Sequence, residues 1–128
     1  MKNDGIESFC GEGRYRVHAA GRRCGGDLAV AVLGGEREHV GAVSLALYEP
    51  ERDSATVSTV TVPGHRDDAV AARFAKELSR ALRCTVSVTA GVHIDGASPE
   101  EIGTLLRNCE QCLSELLARL TGGGRGLK

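Results

Sequence analysis

Residues 85–97 constrain the fold more than any other stretch, because apolar and polar side chains alternate there without interruption. One face of such a strand carries the apolar residues Val86, Val88, Ala90, Val92 and Ile94. The other face carries Thr85, Ser87, Thr89, Gly91, His93 and Asp95. A strand with one apolar face is typical of a sheet that helices cover on one side. His93 and Asp95 fall about 6 to 7 Å apart on the polar face, so both can reach one ligand or ion where the strand ends.

Two amphipathic helices flank this strand. Residues 66–83 repeat apolar side chains at intervals of three and four, with charged side chains opposite. Ser98, Pro99 and Glu101 form a capping box with proline at the first helical position. The apolar stripe of this second helix consists of Ile102, Leu105, Leu106, Cys109, Leu113, Leu116, Leu117 and Leu120. Glycines 122–124 end it.

Four further strands are predicted before the first helix, over residues 14–20, 27–33, 39–48 and 55–62. The second and third are expected to form a hairpin after the turn that begins at Gly34-Gly35. The fourth has an ambiguous phase that a bulge would explain. The order β-β-β-β-α-β-α predicts an α+β fold, a mostly antiparallel five-stranded sheet with both helices on one face.

Length and composition limit the alternatives. The chain has 128 residues and 41% hydrophobic content, which fits one α+β domain over residues 14–121. Residues 1–13 and 122–128 are expected to be flexible. Five cysteines without framework spacing, and an N-terminus unlike a signal peptide, indicate a reducing cytoplasm. Nothing favours a membrane or nucleic-acid partner, because no apolar run spans a bilayer and the net charge is −1.

Topology predicts that three of the four histidines converge. If the first helix is a crossover to a parallel strand, then His39, His65 and His93 all reach one edge of the sheet. The glycines at that edge are expected to leave backbone amides accessible, and the N-termini of both helices favour an anion such as phosphate. These glycines are Gly34, Gly35, Gly41, Gly64, Gly91 and Gly96.

Three motifs resemble one known family. GGEREHVGAVSLAL (34–47), PGHRDD (63–68) and AGVHIDGAS (90–98) are together similar to the D-type accessory subunits of gallate and other phenolic-acid decarboxylases. These are prenylated-flavin chaperone-like proteins with a fold akin to a proteasome assembly chaperone. The resemblance implies binding of prenylated flavin mononucleotide (FMN) and loading of a partner decarboxylase, without catalysis.

The candidate site is the set of residues at the predicted edge. The cofactor-binding candidates are Gly34, Gly35, His39, Gly41, Gly64, His65, Arg66, Asp67, His93 and Asp95. His39, His65 and His93 are also the candidate ligands of a divalent metal ion, which would bridge the protein to the phosphate.

Simpler interpretations remain open for each of these residues. The histidines can cap strands, and Asp67 and Asp68 can stabilise the first turn of a helix. A small metal-dependent hydrolase or lyase built on the three histidines is the alternative function.

Two further expectations concern the cysteines and the oligomeric state. Cys109 should pack in the core, whereas Cys112 should be exposed or at an interface. The polar, small-residue face of residues 85–91 has no helix left to cover it, which predicts a symmetric homodimer.

Overall fold

The computed structural model describes residues 6–63 and 67–122. Its elements follow in this order: β1 Glu7–Cys10, a 3-10 turn Gly13–Tyr15, β2 Val17–Cys24, β3 Asp27–Gly35, β4 Ala42–Glu49, β5 Ser54–Thr61, α1 Asp68–Leu82, β6 Val86–His93 and α2 Pro99–Leu120. The α+β class with two helices is confirmed. The described strands form one six-stranded sheet rather than five, because Glu7–Cys10, in the segment expected to be flexible, pairs with β2 as an edge strand.

The strand order is β1-β2-β3-β6-β4-β5. Strand β6 therefore lies between β3 and β4, so the predicted β3–β4 hairpin is wrong. β6 pairs in parallel with β3 and antiparallel with β4. The short link between β3 and β4 does not close a tight turn but passes across the end of β6. The predicted crossover through α1 is confirmed in direction, since β5 and β6 both run antiparallel to β4.

The alternation in β6 has the predicted consequence. Val86, Val88 and Ala90 are fully buried beneath the helices. Helix α1 packs on β4, β5 and β6, while α2 packs on β1 and β2. Pairing between β4 and β5 is continuous, so no bulge interrupts β5.

Helix α2 departs from its predicted burial at two points. Leu105, Cys109, Leu113 and Leu116 are buried as the stripe predicts. Ile102 and Leu106 belong to the same stripe, yet they are 45% and 46% exposed. The first turns of α2 thus present apolar side chains that the core does not cover.

The cysteines of α2 are both buried. Cys109 packs in the core as expected. Cys112 is fully buried, and its Sγ lies 3.3 Å from the carbonyl oxygen of Val17. The expectation of an exposed or interface thiol is therefore wrong, because α2 packs this face against β1 and β2.

The outer face of the sheet has no helix on it within the described residues. Val43, Leu45 and Leu47 alternate along β4 on this face and are 39%, 44% and 48% exposed. Val60, paired with Val43 on β5, is 74% exposed. In residues 6–63 and 67–122, no helix is long and apolar enough to cross a membrane.

Candidate functional site

The end of β3, the end of β6 and the start of β4 meet at one edge of the sheet, as the topology predicted. Gly35 pairs with His93, and the amide of Gly41 donates to the carbonyl of Ala90 over 2.9 Å. Residues 36–41 cross the end of β6 at Gly91. A methyl group on Gly91 would overlap the carbonyl oxygen of His39. The absence of a side chain there lets the two backbones lie in contact.

Asp67 is the buried polar centre of this edge. Its carboxylate is 5% exposed and accepts two hydrogen bonds, one per oxygen. Oδ2 lies 3.0 Å from Nε2 of His39, and Oδ1 lies 3.0 Å from the amide nitrogen of Val92. Although Asp67 precedes α1 as its N-cap residue, its side chain makes no capping hydrogen bond. Its side chain links His39 to β6, and only its backbone carbonyl, which accepts from the amide of Ala71, contributes to the first turn of α1.

Asp95 lies between two basic side chains. Its Oδ1 is 2.5 Å from Nη2 of Arg37 and 2.8 Å from Nε2 of His93. Hydrogen bonds from His93 and Arg37 lower the pKa of Asp95 below its ordinary value. All three side chains are solvent-accessible, so an anion from solution can approach Arg37 and His93.

A second set of charged groups lies beside this triad. The amide of Asp95 donates to Glu36 over 3.3 Å, and Arg14 lies within 3.5 Å of both Glu36 and Glu101. A hydrogen bond from the Ser98 backbone lowers the pKa of Glu101. These contacts fix the link between β3 and β4 to the start of α2.

The amides of two predicted glycines are not available to a ligand. Gly35 donates to the carbonyl of Arg16, and Gly41 donates to Ala90. Gly34 is buried against the Arg16 and Val17 backbone. A capping box already satisfies an amide in the first turn of α2, because the Ser98 side chain accepts from the amide of Glu101. Backbone amides that were predicted to bind an anion therefore donate to other backbone or side-chain groups instead.

Among residues 6–63 and 67–122, no group of three or more His, Cys, Asp or Glu side chains could hold a metal ion. Nε2 of His39 meets Asp67, and its Nδ1 lies 3.2 Å from the carbonyl oxygen of Arg37. Nε2 of His93 meets Asp95 instead, and the two imidazole rings are 6.0 Å apart. Gly64, His65 and Arg66 lie outside the described residues.

Arg37 is the site residue that the sequence interpretation missed. It stands in the EREH segment, two residues before His39. Its position in a link between a glycine pair and a candidate histidine was the available signal. The predicted set of histidines and glycines does not include this guanidinium, although arginine is a preferred partner of phosphate.

An open cleft adjoins the polar edge. It has a volume of about 470 Å³ and lies between α1, the end of β6 and the first turns of α2. Asp67, Ala69, Val70, Val92, His93, Ile94, Ala97, Ile102, Leu105 and Leu106 line it. Ligand sites are commonly apolar clefts of this size with a few polar groups.

Comparison with known proteins bears on this geometry. A family model described as the prenylated flavin chaperone LpdD-like domain matches residues 11–121. Protein LpdD of Lactiplantibacillus plantarum is 29% identical over 93 residues, which cover 69% of this chain and 65% of that protein. A crystal structure of a chaperone complex for yeast 20S proteasome assembly matches with a TM-score of 0.57 and 14% identity. That match covers 90% of this chain and 98% of the other, and it supports the fold alone.

Proposed function

This chain belongs to the prenylated flavin chaperone LpdD-like family, and from that premise we propose that it is a non-catalytic accessory protein which binds prenylated FMN. In this proposal it carries the cofactor as cargo and helps to load a prenylated-flavin-dependent decarboxylase of aromatic acids. The structural observation that supports it best is the pair of basic side chains, Arg37 and His93, held on either side of Asp95.

The phosphate of the cofactor is assigned to this basic pair. Asp95 is a carboxylate that already bridges Arg37 and His93, so an anion fits the same position. A phosphate has more oxygens than a carboxylate and a larger negative charge, and arginine binds it through two parallel N–H donors. We expect the phosphate to take over the contacts of Asp95. Gly64, His65 and Arg66 precede Asp67 in sequence and remain candidates to complete the site.

A direct ion pair has more support here than a metal bridge. His39 is occupied by Asp67 and by the carbonyl oxygen of Arg37. Direct binding through Arg37 and His93 should be unchanged by a chelator. A metal bridge through His65 and His93 would be lost with the chelator.

The hydrolase or lyase alternative has little support. A three-histidine centre requires His39 as a ligand, and both of its ring nitrogens are engaged, Nε2 by Asp67 and Nδ1 by the carbonyl oxygen of Arg37.

The decisive experiment is cofactor retention. Purified protein mixed with prenylated FMN should keep the absorbance of the cofactor through a desalting column, and should then activate a cofactor-free decarboxylase. Arg37→Ala should release the cofactor, whereas Arg119→Ala, on the exposed side of α2, should retain it. A wild-type protein that emerges colourless would refute the proposal.

A second copy of the chain is the proposed occupant of the outer sheet face. Val43, Leu45, Leu47 and Val60 form an exposed apolar surface there, and such surfaces mark interaction sites. Sedimentation should give twice the mass of the 13.4 kDa chain. Leu45→Asp should dissociate the dimer, and Lys76→Glu on α1 should not. A wild-type monomer at micromolar concentration would contradict this proposal.

A further inference from the structure

The exposed apolar residues of α2 face the cleft beside the polar edge. Ile102 and Leu106 are one helical turn apart, so they lie on the same side of α2. Both line the 470 Å³ cleft, opposite Ala69 and Val70 of α1. Almost half of each side chain is exposed. Together they give the cleft an accessible apolar wall.

The cleft continues between the two helices. A second hollow of about 260 Å³ shares Ala69, Val70 and Leu106 with it. Arg73 and Glu110 border this second hollow. Their side chains join α1 to α2 through two hydrogen bonds of 3.0 and 3.1 Å. The two hollows therefore form one trough that runs from the sheet edge along the interhelical groove.

The sheet-edge end and the middle of the trough differ chemically, and the Arg73–Glu110 ion pair borders its far part. At the sheet edge, Asp67 and His93 are its charged or titratable lining residues. Away from them the lining side chains of the larger hollow are aliphatic. His93 belongs both to this lining and to the basic pair assigned to the phosphate. A molecule with an anionic end and an apolar end matches this arrangement in one orientation.

We propose that the trough binds the apolar edge of the prenylated flavin, namely its dimethylbenzene ring and the added prenyl-derived ring, and that Ile102 and Leu106 select the prenylated form over FMN. This inference rests on the proposed function. The prenyl-derived carbons add apolar surface without adding a hydrogen-bonding group. An aliphatic wall stabilises the bound prenylated form because it removes that apolar surface from water. The phosphate contacts are the same for both cofactors.

The test is a ratio of two affinities measured on one protein. The dissociation constants of FMN and prenylated FMN are measured by absorbance or fluorescence titration. Wild type should favour prenylated FMN by at least about tenfold, the scale on which hydrophobic pockets discriminate small apolar groups. In the double variant Ile102→Gln, Leu106→Gln, the ratio should fall below about threefold. Because both residues are exposed, the variant should fold, and a ratio cancels any loss of active protein.

Two control variants separate the ends of the site. Arg37→Ala should weaken the binding of FMN and of prenylated FMN by similar factors and leave the ratio of their dissociation constants unchanged. Arg107→Gln, exposed on the same helix, should change neither affinity.

Each contrary outcome has a distinct meaning. A wild-type protein that binds neither nucleotide refutes the proposed function, and this inference with it. An unchanged ratio in the double variant overturns the inference while the proposed function stands. An unchanged ratio combined with loss of decarboxylase activation also overturns it, and assigns the trough to the partner protein.

Discussion

Replacing Asp67 should reveal how the polar edge is held together. The carboxylate is buried, and it accepts hydrogen bonds from the amide of Val92 and from His39. Asp67→Ala removes both acceptors and leaves the Val92 N–H without a partner. An unsatisfied buried donor costs about 1 to 3 kcal/mol, and a hydrogen bond to a charged group contributes about 1.5 to 3 kcal/mol. Since the two effects overlap, we expect a loss of about 2 to 4 kcal/mol.

Asp67→Asn should be much milder. Its amide oxygen can still accept from Val92, and its NH₂ group can donate to a neutral His39. We expect a loss below about 1.5 kcal/mol, the net contribution of one ordinary hydrogen bond. Asp68→Ala, exposed in the first turn of α1, is the matched control and should cost only a few tenths of a kcal/mol, about the value of an exposed dipole contact.

Urea titration followed by circular dichroism measures these differences. With a slope of about 1 to 3 kcal/mol per molar urea, Asp67→Ala should lower the midpoint by about 0.7 M or more. The reasoning is refuted if Asp67→Ala and Asp68→Ala have the same midpoint. If Asp67→Asn loses as much as Asp67→Ala, the charge facing His39 matters more than the bond to Val92.

The remaining predictions concern packing and pH. Leu113→Ala should cost about 2 to 5 kcal/mol because Leu113 is buried in α2, whereas Arg119→Ala on the exposed side should be nearly silent; equal urea midpoints would mean that the wrong face is buried. Gly91→Ala should reduce stability, because its methyl group would overlap the His39 backbone; a wild-type melting temperature would contradict that contact. Burial raises the pKa of Cys109 from 9.0 to about 12, so in this range the unfolded chain releases a proton that the folded chain keeps. Stability should fall with rising pH above 9.0 by up to about 1.4 kcal/mol per pH unit, and Cys109→Ala should remove that part of the slope; an unchanged slope would argue against this thiol.

The sequence predicted well wherever one local pattern was sufficient. The capping box at Ser98 and Glu101 located the start of α2, and the alternation in residues 85–94 identified the buried face of β6. The convergence of His39 and His93 also followed from strand directions. These features depend on neighbouring residues and on the period of a helix or strand, and both can be read directly from the sequence.

Tertiary structure decided which strands are neighbours and which polar groups meet. β6 enters between β3 and β4 and pairs along both of its edges, and nothing local to β3 or β4 encodes a partner 40 to 58 residues further on. With β6 in this position, the Asp67 carboxylate accepts hydrogen bonds from the amide of Val92 and from His39, and Arg37 contacts Asp95. Strand β6 also occupies the amide of Gly41, which donates to Ala90 of this strand, whereas the amide of Gly35 donates to Arg16 beside β2. Residue types show which groups can donate or accept a hydrogen bond. Which donor meets which acceptor depends on the contacts that distant segments make when the sheet forms.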